Sequence, residues 1–272
     1  MTPFPEFLLD LKRRREKIAM LTGYDFPTAR LLEEAGVDVI LVGDSLGMVL
    51  LGFPDTTEVT MEHMLHHTRA AARGRSHTQL LADLPFASYE TPAEAVANSG
   101  RLIEAGANAV KLEGGRSHAP QIHALANAGI PVFAHLGMLP QSVRKEGGYR
   151  IKGKTPEQAV DLLADAAAVQ EAGACGILLE LVVPQVAGQI TAQSQVPTIG
   201  IGSGPECDGQ VLVTHDLVGM FPWFTPRFVR PQASLGETLR ETARRYVSAT
   251  KTGSGLCAPN TAPHSPAQQA EQ

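Results

Sequence analysis

EAGVDVILV (34–42) is the first of four similar segments that decide the fold; the others are EAGANAVKL (104–112), NAGIPVFAH (127–135) and EAGACGILL (171–179). In each, a helical segment ends at Ala-Gly and an apolar run follows. Glycine just past a helix end adopts the left-handed conformation at little cost. The apolar runs are continuous rather than alternating, which is typical of strands buried on both faces. The repeat therefore predicts helix–strand units around a parallel sheet.

The same alternation extends over most of the chain. The predicted strands are 18–24, 37–43, 79–84, 109–113, 131–135, 175–181, 197–201 and 210–214. An extra helix is predicted at 5–15 and a final helix at 234–249. Eight strands favour one α/β domain at 1–250, a (β/α)₈ TIM barrel, with a doubly wound sheet as the alternative. The tail at 251–272 is rich in Ala, Pro, Gln and Ser and is predicted to be disordered.

Composition and charge argue against several functional classes. The net charge is −5 without a long basic stripe, so no nucleic acid is expected as a partner. No apolar run approaches the roughly 18 residues of a membrane span, and no signal peptide is evident. Cys175, Cys207 and Cys257 form no CxxC pair, which argues against a zinc knuckle or disulfide framework. We expect a soluble, cytoplasmic protein that does not bind membranes.

Polar residues follow nearly every predicted strand. Asp44, Asp83 and Glu113 come from three successive strands, and barrel enzymes place their catalytic groups at this C-terminal rim. Because strand ends converge in a barrel, the three carboxylates are expected to lie close together. Oxygen ligands without a Cys or His cluster favour Mg²⁺ over zinc. The sequence therefore predicts a magnesium site at the rim.

An alternative interpretation is that polar residues only mark where strands emerge into water. That interpretation accounts for Ser203 and Asp216. It accounts poorly for Lys111, Glu113 and Glu180, which lie inside or against apolar runs, because burying a charge without a partner is costly. These three groups are expected to face one another, a metal or a substrate.

Two patterns imitate functional motifs. His63, His66 and His67 lie at helical spacing, and we interpret them as surface residues away from the rim. The stretch GIGSGP (200–205) lacks the Lys-Ser/Thr of a phosphate loop and the full dinucleotide spacing. Neither pattern is assigned a function.

Several longer motifs occur in order: VGDSLGMV, ADLPF, KLEGG, HLGMLPQS followed by GGYRIKGK, LLELV, and IGIGSGPECDGQVLVTHD. Together they resemble the motifs of the ketopantoate hydroxymethyltransferase family over residues 18–239. The resemblance implies a barrel of the phosphoenolpyruvate/pyruvate superfamily, Mg²⁺ dependence and a homodecamer of two pentameric rings. It also implies that a hydroxymethyl group moves from 5,10-methylenetetrahydrofolate to 3-methyl-2-oxobutanoate. The products are 2-dehydropantoate and tetrahydrofolate, on the route to pantothenate.

The resemblance implies three kinds of functional residue in this sequence. The metal ligands are Asp44, Asp83 and Glu113. The substrate-binding residues are Asp44, Ser45, Asp83, Lys111 and His135. The general base is Glu180, which removes the proton from the carbon beside the ketone. A metal chelated by the keto acid would stabilise the developing enolate.

The chain departs from the family pattern at two places. In the loop 51–58, Thr57 and Glu58 replace the usual Leu and Pro, and Ser203 turns the usual GAG of the seventh strand into GSG. These changes concern folate affinity and selectivity more than reaction type. We identify no aromatic cluster that would mark the pterin site.

Two rival functions are retained. One is another oxo-acid lyase or mutase of the superfamily, although no KKCGH-like cysteine motif occurs. The other is a barrel kept for binding or assembly without turnover, which the presence of Asp44, Asp83 and Glu180 argues against.

Overall fold

The Ala-Gly segments end helices as predicted in the computed structural model, which describes residues 2–254. Gly36, Gly106, Gly129 and Gly173 have φ angles of 80°, 109°, 72° and 102°. These angles lie in the region that favours glycine. Each glycine therefore turns the chain out of a helix and into the following strand.

Eight parallel strands pair in sequential order, and the last strand pairs with the first. Strands β1 to β8 are Ile18–Thr22, Val39–Val42, Gln79–Asp83, Ala109–Glu113, Val132–Gly137, Gly176–Glu180, Thr198–Ile201 and Gly209–Leu212. Helices α1 to α11 are Phe4–Arg14, Phe26–Glu34, Leu46–Val49, Met61–Arg73, Pro92–Glu104, Ala119–Asn127, Val143–Glu146, Pro156–Glu171, Pro184–Gln193, Thr214–Leu217 and Leu235–Thr252. The closed barrel confirms the predicted fold and excludes the doubly wound sheet, which would leave two open edges.

The first and last helices, α1 and α11, lie within three residues of their predicted positions, whereas three short helices were not predicted. α3, α7 and α10 each span four residues and follow β2, β5 and β8 at the rim. A single helical turn is too short to show an apolar period. The final helix, α11, extends to Thr252. The remainder of the predicted tail, residues 255–272, lies outside the described residues.

The strands divide their side chains between two apolar clusters. One cluster fills the barrel and includes Met20, Leu41, Leu81, Ala109, Phe133, Leu178, Ile199 and Val211. α1 closes the N-terminal end, where Phe4 meets Phe133 edge to face with ring centroids 5.9 Å apart. A Cβ added at Gly176 would lie 2.1 Å from the Phe133 ring, so only glycine fits there. The second cluster lies between the strands and the outer helices.

No helix among residues 2–254 is long and apolar enough to cross a membrane. Cys175 and Cys207 are free thiols. The sequence placed Cys175 within a buried strand, but it directly precedes β6 and is half-buried against the inner cluster. Cys257 lies outside the described residues. The cytoplasmic location stays a prediction.

Candidate active site

The inward-facing side chains become polar where the strands leave the apolar interior. On β3, for example, Leu81 belongs to the inner cluster, and Asp83, two residues later, faces the same way because side chains alternate along a strand. The polar residues placed in this way are Asp83, Lys111, Glu113, His135 and Glu180. Together with Asp44 and Ser45, which follow β2, they line one cavity of about 500 Å³. This volume is typical of a small-molecule site.

Three buried carboxylates are held at one side of this cavity by hydrogen bonds to single oxygen atoms. Asp44 Oδ2 accepts from the Gln141 side-chain amide at 2.8 Å. Asp83 Oδ2 accepts from the Asp44 backbone N–H at 3.0 Å, and Glu113 Oε2 accepts from the Gln141 backbone N–H at 3.0 Å. The second oxygens of Asp83 and Glu113 are also buried. Asp83 Oδ1 lies 3.1 Å from Lys111 Nζ, and Glu113 Oε1 lies 3.5 Å from His135 Nδ1, so both oxygens lie among the other polar groups of the cavity.

The charges of this cluster do not balance. Burial raises the pKa of Asp44, and the charges of Asp83 and Glu113 raise it further. Burial also raises the pKa of Glu113 to about 7, against the opposing effect of Lys111. For Lys111 itself, burial would lower the pKa, but the three carboxylates outweigh burial and raise it. One permanent cation thus faces three carboxylates, and a second cation would stabilise their ionised forms.

The three carboxylates fit a magnesium ion with few protein ligands better than a metal enclosed by protein ligands. Within residues 2–254, no three His, Cys, Asp or Glu side chains are already arranged to hold a metal. Lys111 Nζ lies 3.1 Å from Asp83 Oδ1 and already pairs with this carboxylate. Magnesium usually takes one or two carboxylates and keeps several waters, so it does not need three preformed ligands. The all-oxygen donor set of Asp44, Asp83 and Glu113 is consistent with that habit.

His135 connects Lys111 and Glu113 to Glu180, and its Nδ1 lies 3.5 Å from Glu113 Oε1. His135 Nδ1 is 3.3 Å from Lys111 Nζ, and His135 Nε2 is 3.3 Å from Glu180 Oε2. Burial and the charge of Lys111 both lower the pKa of His135, in that order. The Glu180 side chain is 13% exposed, so it reaches the cavity from the wall. The structure therefore brings together every residue that the sequence assigned to the site.

The backbone around Glu180 is held in an unusual conformation. Leu181 has a φ of 49°, which is uncommon for a residue other than glycine. Its N–H donates to the Ile201 carbonyl at 2.9 Å, and its carbonyl accepts from the Lys152 N–H at 2.8 Å. Gly137 packs so closely that an added Cβ would lie 2.3 Å from the Glu180 carbonyl oxygen. These contacts fix the end of β6 and hence the position of the Glu180 side chain.

Ser45 is positioned by a buried tyrosine that sequence analysis missed. Tyr24 Oη lies 2.8 Å from Ser45 Oγ, and His67 Nδ1 lies 2.7 Å from the Tyr24 carbonyl oxygen. The interpretation of His67 as a surface residue was therefore wrong, because it is half-buried and supports the rim. His66 is exposed, and His63 accepts a hydrogen bond at the start of α4.

Gln141 and Tyr89 form a second supporting pair that was not predicted. The Tyr89 hydroxyl donates to Gln141 Oε1 at 2.6 Å, which orients the amide so that its nitrogen donates to Asp44 and to the Leu84 carbonyl. Gln141 lies in the motif HLGMLPQS, but it stands in a short 3₁₀ turn after β5, where no periodic pattern indicates which way a side chain points. Only the folded arrangement reveals its role.

Ser203 and Asp216 were interpreted as polar residues at points where strands emerge into water, but both are buried. Ser203 Oγ donates to the Leu179 carbonyl at 2.8 Å and accepts from the Val182 N–H at 3.0 Å, so it braces the end of β6. Asp216 lines the cavity and is only 8% exposed. The one-turn helix α10, which follows β8, turns Asp216 inward.

Aromatic side chains surround the mouth of the cavity, contrary to expectation. The segment FPWFTPRF (221–228) follows α10, and Phe221, Phe224 and Phe228 line the cavity. The segment contains two prolines and no regular helix or strand, so it gave no periodic signal in the sequence.

The altered loop 51–58 is connected to α7 by Arg144. Arg144 Nε donates to Asp55 Oδ2 at 2.6 Å, and a terminal nitrogen of Arg144 lies 3.0 Å from Glu58 Oε1. Thr56 from this loop lines the cavity. The loop therefore reaches the cavity at the rim.

Comparison with known sequences gives one consistent result. The profile of the ketopantoate hydroxymethyltransferase family matches residues 5–254. The 3-methyl-2-oxobutanoate hydroxymethyltransferase of Acetivibrio thermocellus is 51% identical over 247 residues, which cover 90% of this chain and 87% of the relative. The enzyme of the same name from Ignicoccus hospitalis is 51% identical over 239 residues, which cover 88% and 90%.

Solved structures of lower sequence identity share the architecture. Phosphonopyruvate hydrolase in complex with oxalate and Mg²⁺ has a TM-score of 0.64 at 15% identity, covering 93% of this chain and 88% of its own. 2,3-Dimethylmalate lyase, a member of the PEP mutase/isocitrate lyase superfamily, has a TM-score of 0.62 at 17% identity, covering 97% and 93%. At this identity, the likeness concerns the fold alone.

Proposed function

Because the chain belongs to the ketopantoate hydroxymethyltransferase family, we propose that its rim cavity transfers a hydroxymethyl group from 5,10-methylenetetrahydrofolate to 3-methyl-2-oxobutanoate. The products are 2-dehydropantoate and tetrahydrofolate, and one water molecule supplies the hydroxyl oxygen. The observation that carries this proposal is the placement of Lys111 between a carboxylate cluster and the His135–Glu180 pair. The cluster provides a place for the oxygens of a keto acid, and Glu180 provides a base.

We assign magnesium to Asp44, Asp83 and Glu113. The support is the set of three buried carboxylates that face a single permanent cation, Lys111. When bound, Mg²⁺ supplies a Lewis acid that stabilises negative charge on a chelated oxygen.

The residues around the cluster would orient the keto acid. The Lys111 ammonium pairs with the substrate's carboxylate, and the Ser45 hydroxyl hydrogen-bonds an oxygen of the substrate. The floor of the cavity is the upper end of the apolar interior, where Leu178 and Val211 are exposed to the cavity. This floor takes the branched alkyl group, which gains free energy when it leaves water.

Glu180 removes the proton from the carbon between the ketone and the two methyl groups. The one water molecule hydrolyses methylenetetrahydrofolate: both C–N bonds of the methylene carbon break, and tetrahydrofolate and formaldehyde form in the cavity. The carbanion equivalent attacks the formaldehyde carbon and forms the new carbon–carbon bond, and the alkoxide that results takes the proton held by Glu180. A positioned base of this kind contributes about 10²–10⁴ in rate. The cavity walls limit access of bulk water while the carbanion equivalent exists.

The experiment that tests this function is deuterium exchange at the substrate, followed by NMR in D₂O before any folate is added. We expect the full chain to exchange the single C3 proton of 3-methyl-2-oxobutanoate in a Mg²⁺-dependent reaction, and Glu180→Gln to abolish that exchange. Addition of methylenetetrahydrofolate should then yield 2-dehydropantoate. Wild-type rates in Glu180→Gln would exclude Glu180 as the base, and no exchange by the folded wild type would overturn the function.

We further propose that the chain works as a homo-oligomer in the cytoplasm, with the decamer of the family as the expected form. In support, α11 buries none of its residues within the described part of a single chain, and it exposes Leu235, Leu239, Tyr246 and Val247. Leu239→Lys should reduce the mass measured by light scattering, whereas Thr238→Lys, one position away, should not. An unchanged mass in Leu239→Lys would remove this face from the contact.

A further inference from the structure

The cavity contains a buried carboxylate that the proposed chemistry does not use. Asp216 is 8% exposed and lines the cavity. Its carboxylate forms no hydrogen bond or ion pair with any of residues 2–254, and burial raises its pKa to about 6. Burial of an uncompensated carboxylate costs free energy, which a ligand with hydrogen-bond donors would offset.

The position of Asp216 indicates which ligand could reach it. In the closed barrel, β8 lies two strands from β2, after which Asp44 follows, and two strands from β6, which carries Glu180. It lies directly opposite β4, which carries Lys111. A keto acid held by Lys111 and the carboxylate cluster would leave the wall beside β8 free. The co-substrate must approach the same carbon atom, so it would occupy this remaining side of the cavity.

An exposed aromatic residue also lines this cavity, eight residues after Asp216 in the chain. Phe224 lines the cavity and is 61% exposed. Phe228 is fixed beside the end of β7, where an added Cβ at Gly202 would come within 3.0 Å of its ring. Aromatic rings on a cavity wall suit a flat heterocycle, which can stack on them.

We propose that Asp216 and Phe224 form the binding site for the pterin ring of the folate co-substrate. The pyrimidine edge of a pterin presents two neighbouring donors, the N3–H and the 2-amino group. A carboxylate accepts two such bonds side by side, one on each oxygen. Phe224 flanks the face of the ring, and the aminobenzoyl-glutamate part extends outward through the mouth. This assignment rests on the proposed function and adds the residues that recognise the co-substrate.

The test measures binding of tetrahydrofolate to the full chain by isothermal titration calorimetry. Asp216→Asn preserves the size of the side chain but removes its charge and one acceptor. We expect the dissociation constant to rise by about 10- to 100-fold, the loss typical of a hydrogen bond to a charged group. The KM for methylenetetrahydrofolate should rise in parallel, while the KM for the keto acid stays near the wild-type value. Asp10→Asn, an exposed site on α1, is the matched control and should retain wild-type affinity.

A second measurement keeps the proposal testable if Asp216→Asn weakens the fold. A tetrahydrofolate analogue with a methyl group in place of the 2-amino group lacks one of the two donors. The wild type should bind this analogue at least about tenfold more weakly than tetrahydrofolate, whereas Asp216→Asn should discriminate much less. If wild type and Asp216→Asn discriminate equally between tetrahydrofolate and the analogue, or bind tetrahydrofolate equally well, the assignment of Asp216 is wrong. The proposed function is not affected by that result. Failure of the wild type to bind any folate would instead overturn the proposed function.

Discussion

The Nε2 atom of His135 lies 3.3 Å from a carboxylate oxygen of Glu180. On the other side of the ring, Nδ1 lies 3.3 Å from the Lys111 ammonium. Nδ1 also lies 3.5 Å from Glu113 Oε1, but the ammonium group is nearer and only donates, which favours the tautomer that carries its proton on Nε2. The lowered pKa of His135, which burial and then Lys111 cause, favours this neutral form. His135 thus presents an N–H to the base and limits its orientation.

His135 is therefore expected to act as a positioning residue for Glu180. His135→Ala should slow deuterium exchange of the keto acid by about 10- to 100-fold, the loss typical of a hydrogen bond to a charged group. His135→Gln, whose amide nitrogen can replace Nε2, should recover much of the rate. Exchange rates from NMR, with circular dichroism to verify folding, provide the measurement. Equally slow exchange in both variants would indicate a role in packing rather than in orienting the base.

Asp83 is expected to control the magnesium requirement. One of its oxygens accepts the Asp44 N–H at 3.0 Å, and the other pairs with Lys111 Nζ at 3.1 Å. Asp83→Asn should raise the Mg²⁺ concentration for half-maximal exchange at least about tenfold, since a neutral amide binds this ion far more weakly than a carboxylate. The exposed Asp161→Asn variant is the control. A superimposable metal titration of Asp83→Asn would remove Asp83 from the metal site.

Gln141 and Tyr89 are expected to be energetically coupled. Gln141→Leu removes the side-chain hydrogen bonds to Asp44, Tyr89 and the Leu84 carbonyl and should lower the free energy of unfolding by about 1–3 kcal/mol. Tyr89→Phe removes only the hydroxyl and should cost about 1 kcal/mol. Because the two residues share one hydrogen bond, the double variant should lose less than the sum of the single losses. Urea unfolding at fixed protein concentration measures all three, and strict additivity would argue against the coupling.

The barrel and its polar rim could be predicted because both follow from repeating patterns. The Ala-Gly segments fix where helices end, and the alternation along β4 carries Ala109, Lys111 and Glu113 on the same side. Once eight strands are counted, closure of the sheet brings their ends together. The residues on strands, such as Asp83 and His135, were therefore accessible from the sequence.

The residues that support the site could not be predicted, because a periodic sequence pattern does not indicate where their side chains point. Gln141 stands in a 3₁₀ turn, and Asp216 in a helix of one turn. His67 lies on a long helix, but its hydrogen bond to the Tyr24 carbonyl depends on how α4 packs against the rim. The orientation of such side chains depends on contacts between segments that are distant in sequence.

Glu33 at the end of α2 shows such a contact far from the cavity. Its carboxylate accepts backbone N–H groups from Ser76, His77 and Thr78, at 2.8–2.9 Å. Burial alone would raise its pKa, but these hydrogen bonds outweigh burial and lower the pKa to about 2. They attach the end of α2 to the turn that precedes β3.

A carboxyl group whose pKa is lower in the folded than in the unfolded state stabilises the fold at pH values above the unfolded value, which is 4.5 for Glu33. This contribution decreases as the pH falls from about 4.5 towards 2. Glu33→Gln should therefore lower the free energy of unfolding by about 1–3 kcal/mol at pH 7, and the difference from wild type should shrink below pH 4.5. Urea unfolding at a series of pH values measures it, and Glu34→Gln, which loses only an exposed pair with Arg30, is the control. If the difference in the free energy of unfolding does not change with pH, the charge of Glu33 does not stabilise the fold.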